Sequence, residues 1–140
     1  MANFNLELYC NMFCSLHCQT SGGILNAAKP IMVLAILETT SKGKSKNNRF
    51  LLGDLEQEYN CISESFQKTT PFQYPFYFLE SEGFYHLSWK NGRMKTHTPS
   101  ARMLRENIEY AYLDNALWDL LQEKETRDYL KETIINFYLK

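Results

Sequence analysis

A chain of 140 residues is the length of one domain, and its 15 basic against 16 acidic side chains leave a formal net charge of −1. That balance excludes binding of a polyanion by bulk charge alone, and 44% hydrophobic with 22% charged residues excludes wholesale disorder. No apolar run reaches 18 residues and the N-terminal stretch, with Glu7, has no signal pattern, so the expectation is a cytoplasmic protein without a membrane segment.

Residues 4–19, FNLELYCNMFCSLHCQ, place Phe4, Leu8, Phe13 and Leu16 at helical spacing. Cys10, Cys14 and Cys18 follow at i, i+4 and i+8, along one face of that predicted helix. Adding His17 or Cys61 invites a zinc site, but thiols that rise along a helix do not converge on one ion as close pairs on turns do. Small core hydrophobes in a reducing compartment are the better reading. TSGGILNAA is a loop broken at Gly22-Gly23. Lys29-Pro30 opens the next helix, KPIMVLAILETT, where proline in the first turn leaves no N–H unpaired. Its run from Ile31 to Leu37 is almost wholly apolar, which predicts a central helix buried on most sides.

SKGKSKNN is a polar, basic loop, and Arg49 to Leu52 is a short predicted strand. Asp54 then caps a helix through LEQEYNCISESF, with Gln57 at capping-box spacing. After the loop QKTTPFQ, Phe76–Glu80 and Phe84–Trp89 are predicted as two strands of a hairpin about Ser81-Glu82-Gly83, followed by an Asn91-Gly92 turn. Three helices close the chain: SARMLRENIEYAY, then NALWDLLQ capped by Asp114, then ETRDYLKETIINFYL. The expected fold is α+β, a mainly helical single domain with a winged-helix-like core, the hairpin as its wing and residues 54–66 near the recognition position.

The basic residues are unevenly placed. Residues 1–49 carry five basic and two acidic groups and residues 81–100 three and one, whereas residues 101–140 carry eight acidic and six basic. Two predicted loops, LETTSKGKSKNNR and WKNGRMKTH, thus flank an aromatic-rich segment, a pattern suited to nucleic acid but equally to solvated loops.

Chemistry is sparse. There is no phosphate-cradling G-x-x-x-x-G-K-[ST], no G-x-S-x-G and no H-E-x-x-H. His17, His86 and His97 are isolated, and Glu56, Glu58 and Glu64 read as the solvated face of one helix rather than a nuclease carboxylate cluster. Nothing points to an enzyme or to a cofactor. The Tyr74-Pro75 step, taken alone, reads as a turn entering a strand.

The combination AAKPIMVLAIL, NRFLL, QYPFYFLESEGFYHL and LRENIEYAYLDNALWDLL resembles the sulfur-binding domain of HNH-type restriction endonucleases that recognise phosphorothioate-modified DNA. The likeness runs from about Leu8 to Leu139, and its most specific parts are K-P-x-x-x-L-A-x-L and Y-P-F-x-x-L…G-F-[YW]-x-L. It implies a DNA-binding module of a restriction or bacterial defence system, with double-stranded phosphorothioate DNA as partner. It further implies an apolar sulfur pocket at Tyr74, Pro75 and Phe78, and phosphate contacts from Lys29, Ser21 and Arg102, with Arg105 the second choice. Phe78 stands where the family often has a smaller or polar residue, and Ala28 where a histidine commonly precedes the basic one. Lys42, Lys44, Lys46 and Arg49, with Lys90, Arg93 and Lys95, would touch the DNA backbone independently of sequence. No HNH portion is present, so either a partner chain cuts, or this is a fragment of a longer enzyme, or the module acts as a sensor. Two rivals remain: the same fold reading unmodified DNA, and a protein–protein interaction domain built on exposed aromatics.

Overall fold

A computed structural model describes residues 4–21, 23–67 and 70–140, without the side chains of Ser21 and Ile24. The elements in chain order are α1 (Phe4–Phe13), β1 (Thr20–Ser21), β2 (Ile24–Leu25), α2 (Ala28–Ser41), α3 (Leu52–Ser65), α4 (Gln73–Phe78), a 3-10 turn (Leu79–Glu82), β3 (Tyr85–Trp89), α5 (Ala101–Asn107), β4 (Ile108–Leu113), α6 (Asn115–Leu120), α7 (Lys124–Ile134) and a terminal π-helical turn (Ile135–Leu139). The fold is α+β and mainly helical, as expected. Among the described residues no helix is long and apolar enough to cross a membrane.

The core is built around α2. Every side chain from Ile31 to Leu37 is at most 3% exposed, because α3, α4 and α7 all pack against this helix. Each of these side chains larger than alanine contributes about 1.5–3 kcal/mol on burial. The two other packing layers are the β3–β4 pair, whose Tyr85, Leu87, Ala111 and Leu113 face inward, and α1, which packs against α6 and α7.

The local assignments differ from the expectation in four places. First, α1 ends at Phe13 rather than Gln19. The backbone beyond it is taken up by distant partners: Leu16 N–H donates to the Tyr138 hydroxyl at 3.0 Å, that hydroxyl donates to the Phe13 carbonyl, and His17 N–H donates to Glu82 at 3.0 Å. Burial pushes the Tyr138 pKa up to about 12, so the hydroxyl keeps the proton it donates. Cys14 and Cys18 therefore both lie beyond the last residue of α1.

Second, the predicted strand at 49–52 is a single bridge, Phe50 to Ala111, and α3 begins at Leu52 with Leu51 at its N-cap and Asp54 inside the first turn. Third, residues 76–80 are helical. Phe72, Phe76 and Leu79 fall at i, i+4 and i+7 and are all buried, so the aromatic run has a helical face that outweighs its strand propensity. Pro75 sits in the first turn, where its missing N–H costs nothing. Gly83 ends the 3-10 turn at φ 97, a left-handed conformation that glycine adopts without strain.

Fourth, β3 pairs not with 76–80 but with β4, inside a stretch predicted as one helix. The register is Tyr85↔Leu113, His86↔Tyr112, Leu87↔Ala111 and Ser88↔Tyr110, antiparallel, with a bulge at Ser88/Trp89. The segment expected as the first strand of a wing is thus α4. The basic loop before α3 is tied to the sheet edge by Asn48, whose amide exchanges two hydrogen bonds with the backbone of Leu113, at 2.6 and 2.9 Å.

Candidate functional site

An open cleft of about 730 Å³ lies between the start of α2, the face of α4 and two loops. One wall is apolar. Tyr74 and Pro75 are adjacent and Phe78 follows one helical turn later on α4, so one side of a six-residue helix brings all three to the cleft. Pro75 is buried against the core yet contributes to the wall, Phe78 is partly buried, and Tyr74, 36% exposed, stands at the rim. The three residues assigned to the sulfur pocket therefore come together.

The same cleft also carries charge. Lys29, in the first turn of α2, lines the cleft with a side chain only 15% exposed. Its Nζ lies 2.6 Å from Glu82 Oε2 and 3.4 Å from Ser81 Oγ. Glu82, with its side chain 5% exposed, also accepts the His17 N–H and lies 3.5 Å from His17 Nδ1. Burial would raise this carboxyl, but the hydrogen bonds from Lys29 and His17 and the charge of Lys29 outweigh it and hold the group below the usual carboxylate range. Burial pushes the neighbouring Cys18 thiol up, more than Lys29 draws it down, so it stays a neutral lining group.

His17 and His97 both line the cleft, along with Gln19 and Asn26. The sequence reading treated these histidines as isolated. His17 reaches the site because the chain leaves α1 early, while His97 is delivered by a loop that Tyr77 pins: its hydroxyl donates to Met94 C=O at 2.9 Å and accepts Thr96 N–H at 3.1 Å. Ala28 also lines the cleft and adds no polar group. Local pattern held no signal for His97, whereas the predicted turn at 81–83 marked a tertiary junction at Glu82. Asn26, for its part, accepts the Ala28 N–H at 2.9 Å and so begins α2.

The other predicted contacts lie outside the cleft lining. Lys42 and Lys44 both bind Glu58, at 2.8 and 3.1 Å. That glutamate is 3% exposed rather than part of a solvated face. Burial would raise Glu58, but hydrogen bonds from the two lysines lower it on balance. Glu56, likewise not free, pairs with Arg105 at 2.8 Å, and Arg102, with its side chain 88% exposed, pairs with Glu106 on its own helix. Arg93 meets Glu80 at 2.6 Å in a smaller neighbouring hollow that shares Phe78 and Ser81 with the cleft. Arg49 rests over the Tyr110 ring, 4.9 Å from its centroid. Among the described residues, Lys46, Lys90 and Lys95 form no ion pair. The side chain of Ser21 lies outside the described residues. Among those residues no three His, Cys, Asp or Glu side chains gather to hold a metal ion.

One solved structure superposes over most of the chain: the sulfur-binding domain of SprMcrA, complexed with phosphorothioated DNA. The match has a TM-score of 0.74 at 18% identity and covers 96% of this chain and 86% of that one. The chain has the fold of a sulfur-binding domain. No protein-family profile matches the sequence, and neither does any curated protein.

Proposed function

We propose that the protein is a DNA-binding module that recognises a phosphorothioate linkage in double-stranded DNA, without catalytic activity of its own. The observation that carries this reading is the meeting of Tyr74, Pro75 and Phe78 with Lys29 in the lining of one open cleft. The likeness in fold to a domain bound to phosphorothioated DNA supports it.

The physical basis is the difference between sulfur and oxygen. Sulfur is larger, more polarizable and a poorer hydrogen-bond acceptor, so it loses little when an apolar wall strips away its water. A phosphate oxygen in the same place gives up its solvation with no donor in return, at a cost of about 1–3 kcal/mol. That difference corresponds to roughly tenfold to hundredfold discrimination. In this reading Pro75 supplies a rigid contact without an N–H, Tyr74 and Phe78 flank it, and Lys29 holds a remaining phosphate oxygen. Ser21 is proposed to add a hydroxyl contact. Lys46, Arg49, Lys90 and Lys95 touch flanking phosphates, whereas Lys42, Lys44, Arg93, Arg102 and Arg105 reach DNA only by sharing themselves with their carboxylates. The proposed setting is intracellular defence, with any cleavage supplied by a nuclease module or partner chain.

The test is a gel shift with matched duplexes carrying oxygen or one sulfur of defined stereochemistry, at two salt concentrations. Preference for sulfur is expected, and replacement Pro75→Ser should remove the preference while leaving salt-dependent background binding. Equal, salt-sensitive binding of both duplexes would instead mark a reader of unmodified DNA. Absence of binding to either would favour a protein partner.

A further inference from the structure

Lys29 is the only lysine or arginine lining the cleft among the described residues, and it does not stand alone. A carboxylate with a side chain 5% exposed lies 2.6 Å from its ammonium, and that carboxylate is fixed from a second side by the His17 N–H at 3.0 Å. Lys29 has three N–H donors. One serves Glu82 and one faces Ser81 Oγ at 3.4 Å, which leaves one for a ligand. Any anion that takes this last donor arrives one ammonium away from a buried negative charge. Nearby like charges in a partly desolvated site repel strongly.

We infer that Glu82 sets the selectivity of the cleft, acting as a built-in counter-anion that keeps Lys29 from capturing ordinary phosphate. This rests on the reading of the cleft as the seat of the modified linkage. With the pocket cation already matched, positive charge gives an unmodified backbone little reason to settle there. A thio-substituted linkage is anchored by the apolar wall and needs only the one remaining N–H. Its position is set by sulfur contact, so removal of the Glu82 charge changes its binding less. An oxygen linkage has no such anchor and follows the potential, so it gains more. Glu82 is a positioning and selectivity residue in this scheme, and it touches the ligand only through Lys29.

The experiment compares the parent protein with Glu82→Gln on the oxygen and sulfur duplexes across a salt series. Glutamine keeps the side-chain oxygen that accepts the His17 N–H while removing the charge. Affinity for the unmodified duplex should rise about tenfold and the modified duplex should gain less, so that the sulfur preference shrinks. The salt dependence on the unmodified duplex should steepen by about 0.9 in log–log slope, as one more lysine becomes free to displace a counterion. Adding Lys29→Met to Glu82→Gln should erase both gains. Unchanged or weaker binding by a folded Glu82→Gln protein would overturn the inference and leave Glu82 a structural anchor.

If Glu82→Gln does not fold, the paired replacement Lys29→Met with Glu82→Met carries the test, since a neutral apolar pair often substitutes well for a buried ion pair. The parent salt slope should persist in it, and a slope about 0.9 shallower would overturn the inference by showing that Lys29 was free all along. Lack of sulfur preference in the parent would sink the underlying reading instead, a result visible before any variant is made.

Discussion

Two regions of the molecule use the same chemical device in different surroundings. At the cleft, Lys29 meets Glu82 with side chains 15% and 5% exposed. In the basic loop, Lys42 meets Glu58 with side chains 50% and 4% exposed, and Lys44 joins them. Both carboxylates are buried and held below their ordinary range by lysine hydrogen bonds that outweigh desolvation. The lysines differ. Lys42 projects into water and shares its carboxylate with a second cation, so it clamps a loop onto α3. Lys29 is largely withdrawn from water and lines an open cleft together with Tyr74, Pro75 and Phe78. An ion pair becomes a candidate recognition element through what lies beside it, not through its own geometry.

The comparison breaks most visibly in stability. Lys29→Met strands the Glu82 charge without its chief partner and should cost about 3 kcal/mol in urea unfolding. Lys42→Met leaves Lys44 and solvent to serve Glu58, and its unfolding midpoint should not move measurably. Equal losses in the two variants would erase the distinction between the regions.

The next effect is in binding. Phe78→Ala removes part of the apolar wall and should lower the sulfur preference by about threefold, a loss of about 0.6 kcal/mol of apolar contact. A gel shift on the matched duplexes reads this directly, and an unchanged or higher preference would mean that Phe78 supplies no sulfur contact.

Acid titration sharpens the pairing from another side. Both glutamates have folded-state pKa values below the ordinary 4.5, so the folded state binds fewer protons than the unfolded chain near that pH. Their stabilising contribution is complete above about pH 4.5 and is lost as pH falls through the lower folded values. Urea midpoints measured between pH 7 and 3 should be flat with respect to these groups down to about pH 5 and then decline. Glu82→Gln should soften the decline, and an unchanged acid limb would show that the Lys29 pair adds nothing to folding.

The smallest effect is expected at Arg102. Its i, i+4 pair with Glu106 is almost fully solvated, with side chains 88% and 59% exposed. Arg102→Ala should therefore leave the melting temperature and the sulfur preference unchanged, and lower general DNA affinity by about twofold at most. A selective loss on the sulfur duplex would bring Arg102 to the modified linkage and extend the site beyond the cleft.

How much of this was legible beforehand depends on the range of the forces involved. The central helix was readable because an unbroken apolar run from Ile31 to Leu37 has no stable place except a core, and Pro30 could only sit in a first turn. The juxtaposition of Tyr74, Pro75 and Phe78 was assigned through resemblance, and the reason for it, one face of a helix, ran against the strand reading of an aromatic run. In that segment the burial of Phe72, Phe76 and Leu79 prevailed over propensity. The same competition turned Ile108–Leu113 into a strand, since Tyr85–Trp89 needed a partner for its backbone groups and 76–80 was no longer available.

The sequence by itself determined the α+β class and the buried α2, because hydrophobic periodicity is written locally, whereas the residues of the apolar wall came only through the resemblance. Which cations are free and which are neutralised was decided only in three dimensions. Lys29 and Glu82 are 53 residues apart, Arg105 and Glu56 are 49, and no local pattern encodes such pairs. Coulomb interactions act between neighbours in space, and burial sets their strength, so the charge of a binding site is a property of the fold.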